Sequence, residues 1–326
     1  MSDRPTSRLP TDRWQSWEGV FWLAPPLFFF VFPGYRVLGS QILINGLFAL
    51  SIDLILGYAG ILSLGHAAFF GLGAYTAGLL AMHGWTEPLS GLVAGALVAA
   101  VIGYLVSFLV VLGQDLTRLM VTLGIGLLFY EAANKAAFIT GGVDGLSGID
   151  MANVLSLFDF DLGGKTAFGY SFVVTLLIFA VIKRIVSSPF GLSLRAIREN
   201  RQRVPAIGAP LRQRLVLAFT LSAAVAGVAG ALLAQTTEFV GLEVLGFPRS
   251  AQALIMLVLG GVGRLYGGLI GAFVFLLLQD ILSGMSPVYW QFWLGLLLVF
   301  LVLVARGGIL GGAFVLRERL LKRGAA

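Results

Sequence analysis

The chain has 326 residues, 58% of them hydrophobic and 12% charged, with a mean hydropathy of +0.93. A soluble domain carries about 25% charged residues, so water is excluded as the solvent for most of this surface. The formal net charge of +6 does not read as nucleic-acid binding, because the basic residues flank apolar runs instead of forming one exposed face. Cysteine is absent, which removes disulfides, thiolate metal sites and a cysteine nucleophile. Lipid admits only helices or closed barrels as spanning structures. Barrel strands alternate apolar and polar over roughly 10 residues, whereas 92–112 and 294–305 run apolar with few interruptions. The prediction is an all-α, polytopic transmembrane helical bundle.

Residues 1–18 are polar, carry Arg4, Arg8 and Arg13, and lack the apolar core of a secretory signal, so a cytoplasmic tail is expected. Ten segments then approach the roughly 20 apolar residues of a span: 19–34, 40–57, 65–82, 89–112, 118–139, 167–187, 213–235, 250–263, 265–282 and 289–306. The eighth is short and meets the ninth at a glycine cluster, so either reads also as re-entrant. Cytoplasmic loops are enriched in Lys and Arg. With the N-terminus inside, Arg118, the basic stretch 183–214, Arg264 and the tail 307–326 fall on the cytoplasmic side. Glu87, Asp144, Asp150, Asp159, Asp161, Glu238 and Glu243 fall outside, and only Arg36, Lys135, Lys165 and Arg249 depart from the basic set. Trp14, Trp17 and Trp22 bracket the first membrane entry, and Tyr289, Trp290 and Trp293 the last, as interfacial anchors do.

Close helix contact in lipid relies on small residues four apart. Gly91, Gly95, Ala99, Gly103 and Ser107 form such a stripe in the fourth span; Ala223, Gly227 and Ala231 beside Ala226, Gly230 and Ala234 form another in the seventh. These predict a compact bundle and a partner interface.

Two segments, 56–62 and 259–265, both read Leu-Gly-x-x-Gly-x-Leu. Paired glycine breaks in the two halves of a transporter mark discontinuous helices lining a midplane site; the alternative is a pair of tight cytoplasmic turns. Gly57, Gly60, Gly260 and Gly263 are therefore candidate pathway residues, with Asn45, Asp53, Ser63, His66 and Glu131 as the nearby polar groups. Each intramembrane polar group must be paired or face water. Glu131 has Lys135 at i+4 on its own helix, whereas Asp53 has no local partner, so its counter-charge must come from another helix or it must protonate. His66 reads as a helix-start hydrogen-bonder or a proton relay.

The stretch 188–212 is a cytoplasmic loop in which 192–204 predicts a short helix ending before Pro205. Leu194, Ile197 and Val204 fall near one face, with Arg195, Arg198, Arg201 and Arg203 around it. A solvated basic loop is one reading; a helix seated in a groove of a peripheral protein is the other. No Lys-Ser/Thr phosphate loop, metal-ligand spacing or catalytic triad occurs, so no cofactor or metal is expected, no enzyme activity is predicted, and any ATP must bind to another subunit.

Residues 57–77, with 140–146 (Thr-Gly-Gly-Val-Asp-Gly-Leu), 195–200 (Arg-Ala-Ile-Arg-Glu-Asn) and 257–263, resemble the branched-chain amino-acid ABC-transporter permeases of the LivM type. The likeness covers roughly 40–306. It implies a permease in the cell inner membrane that works with a second, homologous permease, two cytoplasmic ATPase subunits and an extracytoplasmic solute-binding protein. Leu194, Arg195, Ile197, Arg198, Glu199 and Asn200 then belong to the segment facing an ATPase. Asp53 stands where that family usually has Asn. The implied cargo is branched-chain or related small amino acids. Urea, short amides or small carboxylates suit the same architecture, and a proton-coupled secondary transporter or channel, using Asp53, Glu131 and His66, is the competing class.

Overall fold

The computed structural model describes residues 16–113, 115–154, 163–206, 208, 210–304 and 307–312. In chain order the helices are α1 (Ser16–Val31), α2 (Arg36–Asp53), α3 (Ala67–Met82), α4 (Pro88–Leu112), α5 (Asp115–Lys135), α6 (Ala137–Thr140) and α7 (Lys165–Ser187). They continue with α8 (Pro189–Glu199), α9 (Arg203–Ala206), α10 (Leu211–Thr237), α11 (Phe247–Gly260), α12 (Gly267–Met285) and α13 (Trp290–Val304). A π-helical turn, Leu54–Tyr58, continues α2, and an isolated antiparallel bridge joins Leu146 to Val240. Each of the ten expected apolar segments overlaps one longer helix, and 118–139 also takes in most of the short α6. Six helical segments are long and apolar enough to cross a membrane, namely Pro33–Tyr58, Pro88–Leu112, Leu116–Lys135, Lys165–Ser187, Leu211–Thr237 and Gly267–Met285; α1, α3, α11 and α13 are shorter apolar helices.

The core is a three-helix seam of α3, α4 and α10, and the small-residue stripes build it. A Cβ on Gly227 would lie 2.5 Å from the Ala99 Cβ and 2.6 Å from the Gly95 carbonyl oxygen, and one on Gly95 would sit 3.0 Å from the Gly73 carbonyl. Backbone therefore meets backbone, which lets dispersion and weak Cα–H···O contacts replace the hydrophobic effect that lipid withholds. The stripes expected to serve partly as a partner interface are consumed inside the chain. Bulky residues take the outside: Leu97, Val101, Leu105 and Leu109 of α4, and Leu116, Met120, Leu127 and Leu128 of α5, are exposed.

Two helices begin inside the bundle rather than at its ends. Ala67, the first residue of α3, follows His66, whose Nε2 is 2.9 Å from the Ser222 Oγ. Ser222 lies eleven residues beyond Leu211 at the start of α10, which at 1.5 Å per residue is about 16 Å along that helix. The Ala67 amide donates to the Ser250 Oγ at 2.7 Å, so α11 begins at the same depth. From there α3 runs toward the end where α10 finishes, and α11 runs the opposite way. The N-termini of two half-length helices thus stand back to back inside the bundle.

The first turn of α1 is tied to the last turn of α7 by the buried ion pair Glu18–Lys183. Tyr266 packs on Trp17 at a ring-centroid distance of 4.8 Å and on Phe179 at 4.7 Å, and so roofs the pair. Trp22 corrects the belt expectation. It is 7% exposed and packs edge-on against Phe179 at 5.1 Å, so it belongs to the core. Trp14 lies outside the described residues, whereas Trp17 is half exposed, as an anchor requires.

Candidate coupling and translocation site

The two glycine breaks lie against each other, and α8 lies across both. Asp53, fully buried, accepts a hydrogen bond from the Gly263 amide at 2.7 Å through Oδ1, while its Oδ2 is buried without a hydrogen-bond partner. A Cβ on Gly57 would stand 2.6 Å from the Gly263 nitrogen, so the strands can touch only because side chains are missing. Gly263 also takes φ +79°, a left-handed conformation open to glycine. Arg198 of α8 closes the cluster. Its Nη1 donates to the Gly57 carbonyl and lies 2.7 Å from the position of a Gly263 Cβ, and its Cα is 3.6 Å from that of a Gly60 Cβ. Asp53 and Arg198 form no ion pair; the two are joined through the backbone of the breaks, Asp53 holding the Gly263 amide and Arg198 the Gly57 carbonyl.

A second contact ties α8 to the same turn, since the Arg195 guanidinium is 5.1 Å from the centroid of the Tyr58 ring. The π-helical turn widens the end of α2, and the Ile61 amide bonds back to the Ile55 carbonyl at 2.8 Å. Such turns interrupt the regular ladder and recur at functional sites. Gly260 packs directly on the Gly267 carbonyl, which is a tight turn between α11 and α12. The breaks therefore sit at the end of the bundle that carries α8. The polar groups at mid-depth lie one level further in, where α3 and α11 begin.

At that level His66 is fully buried. Ser222 Oγ gives its proton to the Ser51 carbonyl at 2.5 Å, so it accepts from His66 Nε2, which leaves the neutral ring protonated there and Nδ1 unpartnered. The ring is stacked on Phe48 at 6.2 Å and edge-on to Phe69 at 5.3 Å. This is a hydrogen-bonded core position at a helix start. Ser63 is buried with its hydroxyl unpartnered, and Asn45 donates back to the Gln41 carbonyl of its own helix at 2.8 Å. Glu131 and Lys135 are both exposed near the end of α5, and among the described residues no ion pair joins them. The expected pair inside the bundle is not formed, because this face of α5 points away from the core.

The helix α8 differs from its sequence expectation at both ends. Pro189 stands in its first turn, where the missing N–H costs nothing, and the helix stops at Glu199. Asn200 is extended, and its Oδ1 accepts from the Gln202 and Arg203 amides at 3.1 Å each, so it caps α9, which contains Val204 and Pro205. Replacing that cap, Asn200→Ala, costs about 1 kcal/mol and shows as faster amide exchange confined to α9; unchanged exchange there would contradict the capping role. Leu194, Ile197 and Val204 are buried in the core of this same chain. The apolar face of α8 is therefore already covered, and its exposed residues are Pro189, Leu192, Arg198 and Glu199, followed by Asn200 just beyond its end.

Apolar spanning helices, broken helices inside the bundle and an amphipathic helix laid across their joint define a subunit that passes solutes across a membrane. Comparison with known proteins carries that class further. Residues 38–305 match the family model described as branched-chain amino acid transport system / permease component. The high-affinity branched-chain amino acid transport system permease protein LivM of Escherichia coli K12 is 29% identical over 91% of this chain and 74% of its own length. LivH of the same organism is 24% identical over 81% of this chain and 90% of its own. A probable LivM of Methanocaldococcus jannaschii is 24% identical over 43% of this chain and 41% of its own. No solved structure matches. The chain belongs to the branched-chain amino acid transport permease family and is a multi-pass inner-membrane permease subunit.

Proposed function

We propose that this permease imports branched-chain or related small amino acids as one half of an ATP-driven translocation pathway. The observation that carries the reading is the Arg198 clamp, because it joins a surface helix to both glycine breaks at once. The partners are a second, homologous permease, two cytoplasmic ATPase subunits and an extracytoplasmic solute-binding protein. That the chain is similar to both LivM and LivH supports the homologous partner. All ten apolar helices cross or enter the membrane, and α8 with its loop 188–212 lies in the cytoplasm together with the tails 1–18 and 307–326. The Glu18–Lys183 tie supports the placement of the N-terminal tail, since it holds the start of α1 to the α7 turn that leads into α8.

In this mechanism an ATPase meets Leu192, Glu199 and Asn200, and Arg195 and Arg198 transmit its movement to Tyr58, Gly57 and Gly263. Asp53 holds the second break to the first, so α2 and α11 move together. Proteoliposomes holding the purified importer and internal ATP are expected to accumulate radiolabelled L-leucine from its binding protein, and accumulation continues after a protonophore collapses the proton gradient. Uptake that stops with the gradient and ignores ATP would replace this reading with the ion-coupled one.

A further inference from the structure

Arg249 has no part in the clamp, yet it stands in the first turn of α11, at the depth where α3 also begins. Its guanidinium carbon lies 4.9 Å from the centroid of the Phe70 ring, and its Nε is buried without a hydrogen-bond partner. Glu243, in the short turn Leu242–Leu245 before α11, acts on it electrostatically, but the two form no ion pair. The Tyr75 hydroxyl, two turns into α3, is also buried and unpartnered, and Tyr130 stands on α5, which packs on the turn that carries Glu243. The turn Leu242–Leu245 packs against α3, α5 and α11, so Arg249, Glu243, Tyr75 and Tyr130 sit on four elements that meet at one junction, with the Arg249 Nε and the Tyr75 hydroxyl left unpartnered. Intramembrane charge is expensive and is kept where it meets a partner.

We propose that this cluster binds the zwitterionic head of an α-amino acid in transit. The reading rests on the transport function above and names the residues that meet its substrate. A zwitterion carries a carboxylate and an ammonium one carbon apart, so it needs opposite charges placed side by side but not neutralising each other. The guanidinium fork takes the carboxylate, and the adjacent N-termini of α3 and α11 favour negative charge at that end. The ammonium then faces Glu243, with the hydroxyls of Tyr75 and Tyr130 to receive or donate the remaining hydrogen bonds. Glu243 is exposed while the Tyr75 hydroxyl is buried, so the ammonium end is the one nearer the surface. Phe70 and Leu245 provide apolar surface beside it, since Leu245 packs on Gly71, the residue after Phe70.

The test uses the complete importer in proteoliposomes, with L-leucine uptake expressed per assembled complex. Arg249→Gln and Glu243→Gln are each expected to lower the rate by at least about tenfold, the loss of one charged hydrogen bond. Arg249→Lys, which keeps the charge and loses the fork, recovers part of it, and ATP hydrolysis stimulated by the binding protein stays near wild type in all three. If both neutral variants transport at the wild-type rate per complex, or lower only the yield of complex, the binding site is refuted. Glu243 is exposed, so its variant remains informative even where Arg249→Gln fails to assemble. A wild-type importer that moves no α-amino acid would instead overturn the transport reading.

Discussion

Arg198→Glu is expected to reduce ATP-driven uptake to background. The substitution sets a carboxylate against the Gly57 carbonyl, where two acceptors face each other, and brings a second negative charge toward the buried Asp53. Losing a hydrogen bond from a charged donor costs about 1.5–3 kcal/mol, and the reversed charge adds repulsion from Asp53. That is enough to release α8 from both glycine breaks. The readout is L-leucine uptake beside ATP hydrolysis: the hydrolysis loses its response to the loaded binding protein because the link is cut. Glu199→Gln, on the exposed side of the same helix, leaves the clamp untouched and is expected to keep the melting temperature of the complex at the wild-type value. An Arg198→Glu complex that assembles and transports normally would refute the clamp. Asp53→Asn keeps an oxygen to accept the Gly263 amide, so it is expected to be far milder than Asp53→Ala, which removes the acceptor.

Gly230→Ala is expected to be among the most damaging single methyls in the described bundle. Its Cβ would overlap the carbonyl oxygen of Phe70 and lie 3.0 Å from the Ala74 nitrogen, so backbone and not a flexible side chain stands in the way. Overpacking a close-packed core costs about 1–3 kcal/mol when side chains can give way, and this contact gives them no route. A loss above about 4 kcal/mol is therefore expected, read as a lower melting temperature in detergent and a lower yield. Gly124→Ala on α5 is the control, because nothing lies within 4 Å of its added methyl. It is expected to stabilise by about 0.5–1 kcal/mol through helix propensity. Equal melting temperatures for the two variants would refute the account of the seam.

Hydropathy made the ten apolar helices legible, because a span must be apolar along its whole length whatever it packs against. The small-residue stripes were legible for the same reason, but the surface they meet was not. Spacing says that a face is small; only the fold says that the face of α4 meets that of α10. The glycine breaks announced themselves by their shared spelling. Their mutual contact did not, since Asp53 and Gly263 are 210 residues apart in the chain. At α8 the amphipathic pattern was legible but the surface it meets was not: Leu194 and Ile197 pack on their own bundle, which a helical period cannot distinguish from a partner's groove. Arg249 was visible only as a basic residue out of place. An arginine at the head of an apolar segment, close to a glutamate, was the available signal, and charge counting filed it among the exceptions.

The opposed starts of α3 and α11 have a mechanical consequence. Both half-helices start at one depth and leave it in opposite directions. The far end of α11 is linked to the surface helix α8 through Gly263, Asp53, Gly57 and Arg198, whereas α3 is riveted by glycine to α4 and α10. A push on α8 is therefore felt by one half-helix and not by the other, as a hinged door moves while its frame stays still.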